Sequence, residues 1–112
     1  MKMRKLGATG LEVSEISFGA WQLGNKDSWG GMDDRTARNL VSEAMERGVN
    51  LFDTAPNYAG GRSESLLGKI LSGKRDQVVL ISKFGHQPNG SQDYSVDAFW
   101  KSLDSSLVRL HT

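Results

Sequence analysis

The sequence predicts an α/β fold: an amino-terminal β-hairpin followed by three βα units that share one parallel sheet. The order of the elements carries that expectation. After the hairpin, apolar runs of strand length alternate three times with longer stretches at helical spacing. Such strict alternation favours a parallel sheet with right-handed crossovers over a meander or a helical bundle. The 112 residues suffice for one domain, residues 1–112, with a single core that buries roughly two-thirds of the unfolded surface.

The hairpin comes first. Residues 3–6 and 11–13 flank Gly7-Ala8-Thr9-Gly10, a turn whose glycines tolerate positive φ. Ile16-Ser17-Phe18-Gly19-Ala20 reads as the first core strand. The long loop from Gln22 to Met32, with three glycines and Trp29, has the length at which loops in small domains tend to be functional. From Asp34 to Arg47, residues Ala37, Leu40, Val41, Ala44 and Met45 recur at helical spacing, with Asp33 or Asp34 as the cap and Gly48 as the exit. Val49 to Asp53 is the second core strand. A helix from Ser63 carries Leu66, Leu67, Ile70 and Leu71 inward and ends at Gly73. Val78 to Lys83 is the third strand. After a polar loop from Phe84 to Tyr94, a last helix from Ser95 places Val96, Phe99, Trp100, Leu103, Leu107 and Leu110 on one stripe, with Trp100 expected in the core. A closed (β/α)₈ TIM barrel takes about 250 residues, so three units make only a part of one.

Composition narrows the function. Lys and Arg number 14 against 13 Asp and Glu, so no strong field draws nucleic acid or an anionic membrane. With no cysteine there is no disulfide framework, no thiolate metal site and no cysteine nucleophile, and no metal centre is expected. Near the basic amino terminus, Gly7, Thr9, Gly10 and Glu12 break any signal-like apolar stretch, and no run approaches membrane-spanning length. The chain reads as soluble, unprocessed and cytoplasmic.

The chemistry concentrates at two strand ends. Alternation puts Asp53 on the same face as Val49 and Leu51, and Lys83 on the same face as Val79 and Ile81. On neighbouring parallel strands both project from the carboxyl edge, where such folds bind ligands. Tyr58 follows Asp53 by five residues. A lysine ammonium beside a phenol favours the phenolate, lowering the tyrosine pKa toward the range of proton exchange at neutral pH, while the aspartate holds the ammonium. Singly, each is an ordinary residue: an Asx turn, a half-buried packing tyrosine, a solvated lysine. Together, at the ends of consecutive strands, they form a candidate site. Other signals carry less. Gly60-Gly61-Arg62-Ser63 lacks dinucleotide-loop spacing, Gly68-Lys69 lies within a helix, and Asn89-Gly90-Ser91 has no secretory context. Trp21 and Trp29 are expected to line a substrate pocket.

Gly19-Ala20-Trp21, Gly48-Val49-Asn50-Leu51-Phe52-Asp53-Thr54-Ala55 with Tyr58, Ser63-Glu64-Ser65-Leu66-Leu67-Gly68 and Ser82-Lys83-Phe84-Gly85 resemble the amino-terminal part of an aldo-keto reductase. The resemblance covers essentially the whole chain, including the hairpin that plugs the barrel bottom in that family. It implies NADPH-dependent reduction of an aldehyde or ketone, a small-molecule carbonyl substrate. Tyr58 is then the general acid, Lys83 the residue that tunes it, and Asp53 the partner of Lys83. Gly19, Ala20, Trp21 and Asp53 approach the nicotinamide end of the cofactor, with Ala20 where many members have Thr. The family's catalytic histidine belongs to a strand beyond Thr112. Neither His86 nor His111 takes its place, and both are expected to be solvated. By this reading the chain alone has little activity, and its open sheet edge at residues 78–83 invites self-association. The alternative is a non-catalytic partial-barrel interaction module or an inactive remnant.

Overall fold

The computed structural model describes residues 1–26 and 30–112. The expectation placed on Trp29 lies outside the described residues. Strands β1 (Met3–Lys5) and β2 (Glu12–Ser14) pair antiparallel, as the hairpin reading requires. Strands β3 (Phe18–Gly19), β4 (Leu51–Asp53) and β5 (Val79–Ile81) form a parallel sheet with β4 in the middle, and its register aligns Gly19, Asp53 and Ile81. Asn50 fastens the hairpin to the amino end of this sheet. Its Oδ1 accepts from the Ser14 N–H at 2.7 Å and its Nδ2 donates to the Glu12 carbonyl at 2.9 Å.

Each parallel strand is shorter than the apolar run that predicts it. Pairing requires a partner, and β4 ends at Asp53 because the chain turns immediately afterwards. Ser82 and Lys83 therefore lie past the ladder, and Ile16, expected in a core strand, is exposed.

Helix α1 (Asp34–Glu46) begins where the Asp33 side chain accepts from the Thr36 N–H at 2.6 Å. Its buried line runs through Ala37 and Val41. Leu40, grouped with them by spacing, is exposed. At about 100° per residue it lies well to one side of that line. Helix α2 (Arg62–Ile70) fulfils its pattern, with Leu66, Leu67, Ile70 and the adjoining Leu71 all buried. These side chains join Ala20, Leu23, Val41, Phe52 and Val78 in one core, where the Phe18 and Phe52 rings lie 5.6 Å apart.

Helix α3 (Val96–Leu110), capped by Ser95, departs from its pattern. The residues it buries are Ala98, Ser102, Ser106 and Leu110, a mostly small-residue line at i, i+4 spacing. α3 packs so closely on α2 that a methyl group on Gly68 would lie 2.6 Å from the Arg109 carbonyl oxygen. The apolar stripe of Val96, Phe99, Trp100, Leu103 and Leu107 is exposed, and Trp100, expected in the core, is 58% exposed. Small side chains allow the close helix approach, so the large ones are left on the far side. There Phe99, Leu103 and Leu107 line an open apolar groove with Leu80 and Phe84, beside the free edge of β5. Among the described residues no helix is long and apolar enough to cross a membrane.

Candidate active site

The carboxyl ends of β3, β4 and β5 form one corner. Its floor is the ladder itself. The Ala20 N–H donates to the Asp53 carbonyl and the Thr54 N–H to the Ile81 carbonyl, each at 2.8 Å. Lys83 reaches across from its neighbouring strand. Its Nζ donates to Asp53 Oδ1 at 2.7 Å and to the Thr54 carbonyl at 2.8 Å, so two of its three donors fix it at the tip of β4. The same Nζ stands 5.2 Å from the centroid of the Tyr58 ring, within cation–π range. Asp53, Tyr58 and Lys83, separated by up to 30 positions in sequence, are thus brought together.

Local chemistry explains where the phenol goes. Pro56 is buried and Asn57 has φ −91° and ψ −4°, the values of the third position of a type I turn that the Tyr58 N–H closes onto the Ala55 carbonyl at 3.2 Å. Ala59, Gly60 and Gly61 then follow with φ of +50°, +62° and +91°. Three left-handed residues in succession reverse the chain into α2 and leave Tyr58, itself half-buried, at the apex. Glycine adopts such angles freely, whereas Ala59 does so at a cost of roughly 1–2 kcal/mol.

The predicted cofactor-facing residues divide. Gly19 is exposed, and a methyl group built on it would meet nothing within 4 Å. Trp21 is 49% exposed. Ala20, by contrast, is fully buried, with its carbonyl accepting from Ser63 Oγ at 2.7 Å. Its methyl group packs into the core behind Gly19 and Trp21. His86 and His111 are exposed as expected, and His86 Nε2 lies 3.0 Å from the Tyr94 hydroxyl.

Two buried polar clusters behind the corner are absent from the sequence reading. In the first, Ser63 gives its one hydroxyl proton to the Ala20 carbonyl, so Thr54 Oγ1 is the donor in their 3.0 Å bond. In the second, the fully buried Glu64 carboxylate accepts from Arg109 Nε at 2.6 Å through Oε2 and from Ser82 Oγ at 2.5 Å through Oε1. The Arg109 side chain is 21% exposed. An acid in the first turn of a helix reads locally as a dipole partner. Nothing within its own segment reveals an arginine 45 positions away.

Comparison with known proteins matches the chain to one family. The model of the Aldo/keto reductase family matches residues 15–112. Aldo-keto reductase YhdN of Bacillus subtilis (strain 168) is 41% identical over 117 residues, which cover 100% of this chain and 35% of that protein. L-galactose dehydrogenase of Arabidopsis thaliana is 41% identical over 113 residues, covering 98% of this chain and 34% of its own length. The chain thus spans about a third of the curated relatives it matches. Among solved structures, an aldo-keto reductase from Bacillus halodurans in its holo form superposes with a TM-score of 0.86 at 34% identity, covering 100% of this chain and 37% of that one. The glycerol dehydrogenase of Gluconobacter oxydans gives a TM-score of 0.82 at 27% identity, covering 98% and 36%.

Proposed function

The chain belongs to the aldo/keto reductase family, and from that premise we propose that it is the amino-terminal part of a cytoplasmic NADPH-dependent oxidoreductase that reduces aldehydes or ketones to alcohols. The observation that carries the proposal is the position of Lys83, bonded to Asp53 and the Thr54 carbonyl with its charge 5.2 Å from the Tyr58 ring centroid. The exposed backbone at Gly19, with open space where a side chain would project, leaves room for the flat face of a nicotinamide beside Asp53. When bound, the reduced nicotinamide supplies the hydride for the carbonyl carbon.

The chain's own residues then do the proton chemistry. Tyr58 donates its hydroxyl proton to the carbonyl oxygen as negative charge builds there, which prevents a bare alkoxide from forming. Lys83 keeps a positive charge next to the phenolate that remains, and Asp53 and the Thr54 carbonyl stop the flexible lysine from swinging into solvent. Gly19, Trp21 and Asp53 line the cofactor side, and Ala20 and Ser63 hold that edge rigid. Trp21 faces the substrate.

A chimera tests the proposal: residues 1–112 replace the matching segment of the B. subtilis relative, and oxidation of NADPH and NADH is followed with a panel of aldehydes and ketones. Aldehyde-dependent oxidation that is faster with NADPH is the expected result. A folded chimera without such oxidation contradicts the proposal. The polypeptide of these 112 residues, assayed alone, is expected to turn over little or nothing.

A second reading rests on the exposed apolar groove beside β5. A non-catalytic module that pairs two copies through this edge accounts for Phe99, Leu103 and Leu107 lying open to solvent. Light scattering across a concentration series separates the readings, since a monomer at every concentration removes the support for pairing.

A further inference from the structure

We propose that Ser82 and Glu64 are positioning residues for Lys83, and that the Arg109–Glu64 pair acts on the site through the Ser82 hydroxyl. The inference rests on the reading of Lys83 as the partner of Tyr58 and names what holds it there.

The ladder between β4 and β5 ends with the bond from Thr54 N–H to the Ile81 carbonyl. Lys83 lies two residues beyond that bond, where no strand partner fixes the backbone. A lysine at the end of an untethered segment samples many rotamers, and its contact with Asp53 is then one state of several. Ser82 supplies the missing tether. Alternation sends its side chain to the opposite face from Lys83, toward the helices, and there its hydroxyl donates to Glu64 Oε1 at 2.5 Å.

Glu64 suits the task because it cannot move. Its side chain is wholly buried in α2, and its second oxygen is held by Arg109 of α3 at 2.6 Å. Arg109 also donates to Ser106 Oγ at 3.3 Å. A buried carboxylate is a strong, immobile acceptor when it is paired, and a charge-assisted bond to it is shorter and stronger than one between neutral groups. The tie therefore runs from two packed helices to the residue preceding Lys83. If Glu64 served only to join α2 and α3, the Arg109 bond alone would suffice, and the second oxygen would have no reason to reach the strand end that carries the site.

The test uses the 112-residue chain and a small amine-acylating reagent, with modification read by peptide mass mapping. Lys83 is scored against exposed Lys101 in the same sample, and folding is followed by circular dichroism. Ser82→Ala is expected to raise the Lys83-to-Lys101 rate ratio at least threefold, and Ser82→Thr, which restores a hydroxyl, to return it to the wild-type value. If Ser82→Ala does not fold, Ser82→Cys, similar in shape but a weak donor, carries the test with a smaller rise. An unchanged ratio in whichever variant folds overturns the inference, as does failure of the threonine to restore it. A purely structural role moves the melting curve and leaves the ratio alone. Asp53→Asn distinguishes failure of the underlying reading. If that variant leaves the ratio at the wild-type value, Lys83 is not held by Asp53, and the site itself is at fault rather than its tether.

Discussion

Helices α2 and α3 carry comparable apolar patterns and meet opposite fates. In α2 the leucines and isoleucine selected by helical spacing are buried, whereas α3 hides small residues and leaves Phe99, Trp100, Leu103 and Leu107 open. The difference lies in the neighbours. α2 packs against α1 and α3 and covers the core, whereas α3 packs on α2 and faces the free edge of β5 on its other side. Periodicity identifies which side chains want cover, and only the surroundings decide whether cover exists. The candidate site lies where the two regions meet, since Lys83 borders the open groove yet is bonded to Asp53 and the Thr54 carbonyl at the tip of β4.

Replacements in the two helices sharpen the contrast. Leu67 is fully buried, so Leu67→Ala is expected to cost about 2–5 kcal/mol in urea denaturation, the range for emptying a core position. Next comes the seam between the helices. Gly68→Ala pushes a methyl group against the Arg109 and Leu110 carbonyls, 2.6 and 2.8 Å from the built position, and should cost about 1–3 kcal/mol. Trp100→Ser removes one of the largest apolar side chains in the molecule, yet at 58% exposure it should change stability by only about 0.5 kcal/mol in either direction. A loss at Trp100 comparable to that at Leu67 breaks the comparison and shows that the face is covered in solution.

The smallest effect concerns the start of α1. The Asp33 carboxyl is held below its ordinary value of 3.8, first by the backbone N–H and then by the side chain of Thr36, with a further contribution from Arg35. Because the folded value is the lower one, this contribution is fully present above pH 3.8 and drains as the pH falls below it. Asp33→Ser keeps a capping oxygen that does not titrate. Its melting temperature should therefore depend slightly less on pH in that acidic window and match the wild type in shape above it.

Legibility in the sequence follows the same division. The hairpin, the order of the βα units and all three helices are readable because each is encoded by local spacing and caps, as with Asp33 and Ser95. Strand lengths are not, since β5 pairs only as far as β4 reaches, to Ile81 opposite Asp53, rather than to the end of its own run at Lys83. Asp53, Tyr58 and Lys83 can be picked out because consecutive parallel strands bring their ends together. Glu64 escapes notice because its partners lie just past the end of β5 and on a different helix. The burial of Ala20 escapes for a similar reason, through contacts with Asp53 and Ser63 that no local pattern encodes.

The central claim is that Tyr58 is the proton donor of a carbonyl reduction. The chain contains only two tyrosines, and Tyr94 is an exposed loop residue, which makes it an internal control. In the chimera, kcat for aldehyde reduction should fall by about 10²–10⁴-fold in Tyr58→Phe and stay near the wild-type value in Tyr94→Phe, with both variants equally folded. A Tyr58→Phe chimera that keeps its kcat within a few-fold of the wild type contradicts the account.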